Sequence, residues 1–183
     1  MTSSMPRSAS EKRRLAAFLA ALAFFLSAVE YMLPRPVPFM RVGLANLPIL
    51  FAVELLPWGW YLALALVKVA GMSLLTGSLF SYVAVFSLAG TMASALVMRG
   101  LYAVAGPRAI SWVGLCVAGA VASNLTQALL ARVIVFGESA RYMIPAFLDL
   151  GLVSGLVLGV FAELFSARSA WLAGVRGRRD GQA

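Results

Sequence analysis

The fold class of this chain is decided by its first apolar stretch, KRRLAAFLAALAFFLSAVEYML at residues 12–33. Three basic residues precede a run of almost wholly apolar positions, and about 20 such residues suffice for a helix to span a bilayer. The run is longer than the apolar region of a typical signal peptide, and it ends on Tyr31, Met32 and Leu33 rather than on small residues. We therefore expect a retained anchor helix and not a cleaved leader.

The composition extends this interpretation to the whole chain. Of the 183 residues, 62% are hydrophobic and 12% are charged, whereas a soluble domain carries about 25% charged residues. So few charges could not cover a water-exposed surface, which excludes an ordinary soluble domain. The net charge of +8 does not indicate nucleic-acid binding, because the basic residues lie at the two ends and in short loops.

The apolar runs and the turn residues between them predict an all-α membrane protein, a compact bundle of about six transmembrane helices. The bundle is expected over residues 15–165, between a disordered basic tail at 1–14 and a second basic tail at 166–183. The predicted helices are Leu15–Leu33, Leu44–Leu56, Trp60–Leu75, Ser78–Met98, Trp112–Phe136 and Tyr142–Phe165.

The distribution of Lys and Arg predicts that both ends lie in the cytoplasm. With the N-terminus inside, ten basic residues fall in cytoplasmic segments and four in outer segments, which favours this orientation and an even number of helices. The four outer residues are Arg35, Arg41, Arg132 and Arg141. The expected location is the cell inner (cytoplasmic) membrane, as a multi-pass protein.

Polar residues at membrane depth are costly and usually face a bundle interior or a water-filled cavity. Several helices contribute such residues to the outer half of the predicted bundle. We predict that six of them converge on a substrate-binding pocket: Arg41, Asn46, Lys68, Asn124, Gln127 and Asp149.

Each of these residues also has a purely structural interpretation. Asn46 could cap the second helix, and Asn124 and Gln127, three apart on one helix face, could form hydrogen bonds between helices. Lys68 lies near mid-membrane and needs a partner, for which Asp149 and Glu30 are the candidates. A structural ion pair and a substrate contact remain equally open for Lys68.

Small residues repeat every fourth position, as in helix pairs that approach closely in lipid. Gly151, Gly155 and Gly159 do so in the last helix, and the first helix carries two such alanine pairs. Packing within the bundle and docking to a partner membrane subunit both explain this spacing. The alanines of the first helix are Ala16, Ala17, Ala20 and Ala21.

No catalytic arrangement is visible in the sequence. The chain lacks a phosphate-binding loop of the GxxxxGK[ST] type and contains no histidine. Its single cysteine, Cys116, lies in an apolar run, and its two aspartates, Asp149 and Asp180, lie far apart. We therefore expect neither enzymatic activity nor a metal site nor a cofactor.

The segment Arg41-Val-Gly-Leu-Ala-Asn-Leu-Pro48, after a proline-rich loop, resembles the Gx transporter family, also called heptaprenyl diphosphate synthase component I. Ala120-Val-Ala-Ser-Asn-Leu-Thr-Gln127 is similar to a second polar patch of that family, and the hydropathy profile is similar over nearly the whole chain. Pro48 departs from the family pattern, and it bears on where the second helix begins.

The family is similar in layout to the substrate-binding S components of energy-coupling-factor vitamin transporters. This resemblance implies capture of a small molecule, such as a vitamin or flavin, in an outward-facing pocket. It also implies docking of the first helix, through its four alanines, to a membrane coupling subunit that works with ATPases. The aromatic residues Tyr31, Phe39, Phe80 and Tyr82 would suit a flat ring at the pocket edge.

The older family name implies prenyl-chain elongation. The alternative function is that of a non-catalytic membrane accessory subunit of a polyprenyl diphosphate synthase or of a membrane redox complex. Synthase activity of the chain itself is not expected, because diphosphate–magnesium chemistry needs clustered carboxylates. The substrate, the oligomeric state and the use of a coupling subunit stay open at the level of sequence.

Overall fold

The computed structural model describes residues 9–32, 43–106, 109–142, 144–170, 172 and 174. In these ranges all regular structure is helical, as predicted. The α-helices are α1 (Ala9–Met32), α2 (Leu47–Leu55), α3 (Trp58–Leu75), α4 (Tyr82–Ala105), α5 (Trp112–Ala131) and α6 (Ile144–Arg168). A 3-10 turn, Leu44–Asn46, precedes α2; a π-helical turn, Arg132–Phe136, and a 3-10 segment, Gly137–Tyr142, follow α5.

Five of the six helices are long and apolar enough to cross a membrane, and α2 is the exception. Its nine residues extend about 14 Å at 1.5 Å per residue, roughly half of a hydrocarbon core of about 30 Å. Pro48 is accepted in the first turn of α2, where its missing N–H has no intrahelical acceptor. The second predicted span is therefore a half-length helix that is buried on nearly all sides.

Several predicted boundaries are wrong by four to seven residues. α1 begins at Ala9 rather than at Leu15, so residues 9–14 are helical, while 1–8 lie outside the described residues. α4 begins at Tyr82 because the side chain of Ser81 accepts a hydrogen bond from the Val83 N–H. It continues past Arg99 to Gly106, whose positive φ of 75° ends the helix.

Contacts of aromatic rings and of Arg99 show which helix ends lie on the same side of the bundle. The Phe51 ring, in the middle of the short α2, lies 5.5 Å from the Trp112 ring at the start of α5 and 5.6 Å from the Phe165 ring near the end of α6. Arg99, in the second half of α4, lies over Trp58 at the start of α3 and donates to the Val53 carbonyl. We call this end of the bundle the Phe51 end.

The start of α1 also lies toward the Phe51 end, since Phe18 shares an apolar groove with Phe51 and Phe165. The first and the last helix thus have their terminal ends on the same side of the bundle, as an even number of passes predicts. The assignment of that side to the cytoplasm stays a prediction from the Lys and Arg count.

The glycines of α6 account for its close packing on α5. A Cβ atom at Gly159 would lie 2.7 Å from Val113 Cα, and one at Gly155 would lie 2.9 Å from Val117 Cα. Neither distance leaves room for a side chain. The glycine spacing of α6 therefore serves packing within the bundle.

Candidate functional site: a polar cavity between the helices

A polar cavity lies in the half of the bundle that is remote from the Phe51 end. Residues from α1, the turn before α2, α3, α4, α5 and α6 contribute to its wall. The lining residues are Glu30, Gly43, Asn46, Lys68, Val83, Ser87, Thr91, Ala120, Ser123, Asn124, Gln127 and Ser154. Hydroxyl, amide and charged groups thus converge from the five long helices and from the turn before α2, which removes the cost of placing each separately against lipid.

Glu30 joins the end of α1 to the start of the second helical segment. Its side chain is 4% exposed, and its two carboxylate oxygens accept hydrogen bonds from the N–H groups of Gly43 at 2.7 Å and Ala45 at 3.3 Å. Gly43 has a φ of 93°, a conformation that favours glycine. The carboxylate satisfies N–H groups that the 3-10 turn itself leaves without acceptors.

Lys68 lies in the middle of α3 and is 4% exposed. Its Nζ atom donates a hydrogen bond of 2.7 Å to Asn46 Oδ1. Asn46 occupies the N-cap position of α2, but its side chain makes no capping hydrogen bond. The structural alternative for Asn46 is therefore not realised, because its amide oxygen binds the lysine and not the helix terminus.

The α5 amides enter the cavity between two glycines of the neighbouring helices. Asn124 Nδ2 donates to the Phe147 carbonyl at 2.9 Å, and Gln127 Nε2 donates to Ser123 Oγ at 3.2 Å. A Cβ atom at Gly151 of α6 would lie 2.5 Å from Asn124 Nδ2, and one at Gly90 of α4 would lie 2.5 Å from Gln127 Nε2. The missing side chains of these glycines make the space that the two amides occupy.

The cavity is small. Its volume is about 40 Å³, whereas one water requires roughly 10–15 Å³ by the same measure. A cavity of this volume accommodates about three waters, and a flavin-sized molecule would need the walls to separate.

Four of the six predicted pocket residues line this cavity: Asn46, Lys68, Asn124 and Gln127. Arg41 lies outside the described residues. Asp149 does not line the cavity, and its side chain is exposed. The buried residues Phe147 and Gly151 define the inward face of α6. Asp149 lies two positions from each of them, so its side chain points to the opposite side of the helix. The expected convergence of Asp149, and its pairing with Lys68, are therefore wrong.

Glu30, a candidate partner of Lys68, lines the cavity without being among the six predicted pocket residues. The cavity is also lined by four hydroxyl residues that were not predicted: Ser87, Thr91, Ser123 and Ser154. Ser87, Thr91 and Ser94 are buried on one face of α4, and their spacing of four and three is the signal that could have identified that face.

Three of the four aromatic residues proposed for the pocket edge, Tyr31, Phe80 and Tyr82, do not line it. Tyr31 is 53% exposed, Tyr82 51% and Phe80 100%, and Phe39 lies outside the described residues. Their positions give no support to a flat-ring ligand. In the described part of the chain, no group of three or more His, Cys, Asp or Glu residues could hold a metal ion.

The four alanines proposed for docking divide into two pairs. Ala16 is buried, and Ala20 is half-buried against the same core cluster. Ala17 and Ala21 are exposed on the outer face of α1. Only the second pair is thus placed where a partner helix could reach it.

The fold and the cavity define a multi-pass helical membrane protein. A family model described as heptaprenyl diphosphate synthase component I matches residues 19–165, about four fifths of the chain. The chain belongs to this family, which is the family that its Gly-Leu-Ala-Asn segment resembles. No curated protein and no solved structure matches the chain.

Proposed function

We propose that this chain is the substrate-binding membrane subunit of a micronutrient transporter, similar to an S component, and that it has no catalytic activity of its own. The observation that carries the proposal is the convergence of polar groups from six helical segments on one cavity. Packing alone would be served by hydroxyl and amide groups, whereas this cavity also contains a buried lysine and a buried glutamate.

The proposed transporter requires separate partners. The chain has no phosphate-binding loop, so energy would come from a membrane coupling subunit with ATPases. The exposed pair Ala17 and Ala21 is the proposed contact of α1 with the coupling subunit. The cytoplasmic membrane is the proposed location, with the cavity in the outer half of the bundle.

The proposal is tested by releasing bound small molecules from the purified full-length protein and identifying them by mass spectrometry. Wild type is compared with Gln127→Leu, which removes a cavity amide, and with Thr126→Val. Thr126 is the matched control, because its hydroxyl bonds to the Ala122 carbonyl of its own helix and does not line the cavity.

A small molecule enriched on wild type and on Thr126→Val but lost from Gln127→Leu would support the proposal. Equal amounts on all three proteins would place the molecule elsewhere. If nothing is enriched above a preparation from cells without the protein, the cavity is a structural network and the proposal fails.

A second candidate function is that of a non-catalytic membrane accessory subunit of a polyprenyl diphosphate synthase. The description of the matched family is the observation that favours it. Affinity purification of the tagged chain from its native membrane separates the two. Recovery of a prenyl synthase without ATPases would favour this candidate, and recovery of a coupling subunit with ATPases would favour the transporter.

A further inference from the structure

Two hydroxyl-bearing residues of α4 line the polar cavity. Ser87 and Thr91 lie one turn apart and are 8% and 6% exposed, yet neither hydroxyl makes a hydrogen bond to any residue that the structure describes. Threonine in a helix often satisfies this group on the carbonyl four residues earlier, as Thr126 does on Ala122. Among the described side chains, the Tyr102 hydroxyl is the one polar group that is both enclosed and without a partner. The hydroxyls of Ser87 and Thr91 are therefore open to the cavity.

Asn124 of α5 also keeps hydrogen-bonding capacity that the protein does not use. Its Nδ2 atom donates to the Phe147 carbonyl, and this bond fixes the orientation of the amide, because a carbonyl can only accept. Within the described part of the chain, the Asn124 side chain makes this one hydrogen bond. A carboxamide has two N–H donors and an acceptor oxygen. One N–H and Oδ1 therefore remain available in the cavity wall.

The two charged groups of the cavity are already engaged by the protein. The Glu30 carboxylate accepts from the N–H groups of Gly43 and Ala45. The Lys68 ammonium donates to Asn46 Oδ1 and has a further interaction. One positive and one negative group in the same cavity also cancel in net charge. A charged ligand would lose its hydration here without gaining a counter-charge that is free to pair with it, whereas an uncharged polar ligand would not.

We infer that the ligand of this cavity presents an uncharged amide group to the wall formed by α4 and α5. An amide combines an N–H donor with a carbonyl acceptor, which is the complement of the acceptor and donor that Asn124 keeps available. The carbonyl oxygen has two lone pairs, so it can accept from the hydroxyls of both Ser87 and Thr91. This inference rests on the proposed function and adds the chemical class of the ligand.

The volume of the cavity is consistent with a group of this size. About three waters fit, and the N, C and O atoms of an amide occupy a comparable space. The remainder of a larger ligand would lie outside the enclosed part. The amide is therefore the portion of the ligand that the wall recognises.

The inference is tested by protection of a thiol in the cavity wall. Val83→Cys in a Cys116→Ala background places the thiol one turn from Ser87, in the same wall, without removing a hydrogen-bonding group. The full-length protein in phosphatidylcholine nanodiscs is reacted with methyl methanethiosulfonate at rising concentrations of acetamide. Acetone, acetate and ethylene glycol are similar to acetamide in size. Acetone lacks the donor, acetate adds a charge, and ethylene glycol offers hydroxyl groups only.

Acetamide should slow the reaction saturably, and the other three compounds should leave its rate unchanged. Thr91→Val removes a cavity hydroxyl and should raise the acetamide concentration for half-protection by about tenfold, the effect of one lost hydrogen bond. Thr126→Val is the matched control, the same substitution at a threonine that does not line the cavity, and it should leave that concentration unchanged. Because the Thr91 hydroxyl has no partner among the described residues, Thr91→Val should keep the melting temperature of its parent.

Equal protection by acetone would show that no donor is recognised, and equal or stronger protection by acetate or ethylene glycol would assign a charged or a polyhydroxyl ligand. Each of these results would overturn the inference and leave the proposed function standing. Equal half-protection concentrations in Thr91→Val and Thr126→Val would overturn it as well. An unreactive thiol, or no protection by any compound, would also overturn it, and the release experiment with Gln127→Leu would then judge the proposed function separately.

Discussion

The two halves of the bundle are packed in different ways. α4, α5 and α6 meet through glycines: Gly119 lies against Ser94 and Met98, and Gly159 lies against the Val113 backbone. α1, α2 and α3 meet through large side chains, among them Leu19 and Leu50, and they leave a groove beside α6. The half made of α4, α5 and α6 holds the cavity amides in fixed positions. The half made of α1, α2 and α3 leaves apolar space. The polar cavity forms where the two halves meet.

The largest effect on stability is expected from Gly159→Ala in the glycine-packed half. The added Cβ would lie 2.7 Å from Val113 Cα, a backbone atom that cannot move alone, and overpacking of this kind costs about 1–3 kcal/mol. Gly100→Ala on α4 is the control, because a Cβ there meets nothing within 4 Å. Thermal melting of the purified variants is the measurement. Equal melting temperatures would show that the glycine packing does not stabilise this half.

Lys68→Met tests the junction between the halves. It removes the donor to Asn46 Oδ1 and leaves a part-buried amide without that partner, at a cost of about 1–3 kcal/mol. Asp149→Asn, at an exposed position, should change stability by less than about 0.5 kcal/mol. Their effects should add to within about 0.5 kcal/mol, as chemical unfolding can measure. If the double mutant recovers stability, Lys68 and Asp149 form an ion pair after all.

Gly90→Ala should affect ligand binding more than stability, in contrast to Gly159→Ala. Its Cβ would lie 2.5 Å from Gln127 Nε2 and 2.8 Å from Ser123 Oγ, and a flexible glutamine can move aside. The amount of ligand recovered from the purified variant should then be about tenfold lower than from wild type, which corresponds to about 1.4 kcal/mol of binding free energy. The melting temperature should be nearly unchanged. A large loss of stability without a loss of ligand would show that Gly90 serves packing alone.

The class of the fold was predictable from the sequence because apolar run length and the turn residues report on lipid burial. Asn46, Lys68, Asn124 and Gln127 were predictable as a group for the same reason, since polar residues in apolar runs avoid lipid. Asp149 was misplaced because depth in the membrane does not determine which face of a helix a residue occupies. The extension of α4 was missed because Arg99 marks a helix end in sequence, whereas in the structure it folds back onto Val53.

The roles of Gly90 and Gly151 could not be predicted, because they depend on which helices are neighbours. The same holds for the groove, which results from the short α2 lying between α1 and α6. A short second helix was predictable, because Leu44–Leu56 falls below the roughly 20 residues of a full span, but the 3-10 turn that takes up its first residues was not. Tertiary contacts determine both features.

The smallest effect on stability is expected from Ala17→Leu and Ala21→Leu, on the exposed face of α1. Each should change the free energy of unfolding by less than about 0.5 kcal/mol, and together they should abolish uptake by preventing close approach of the proposed coupling subunit. Ala16→Leu is the contrast, because Ala16 belongs to the core and its enlargement should destabilise the protein. Unimpaired uptake in the double variant Ala17→Leu/Ala21→Leu would remove support for docking through α1.

The central claim is that the cavity is wet and faces the outside, on the side opposite the start of α1 and the end of α6. Ser87→Cys in a Cys116→Ala background places one thiol in the cavity wall, and a small impermeant methanethiosulfonate is applied to intact cells. Ser87→Cys should react, as should Ser139→Cys in the predicted outer loop, whereas Ser4→Cys should react only after permeabilisation. Reaction of Ser87→Cys only in permeabilised cells, or in neither case, would contradict an outward-facing binding cavity.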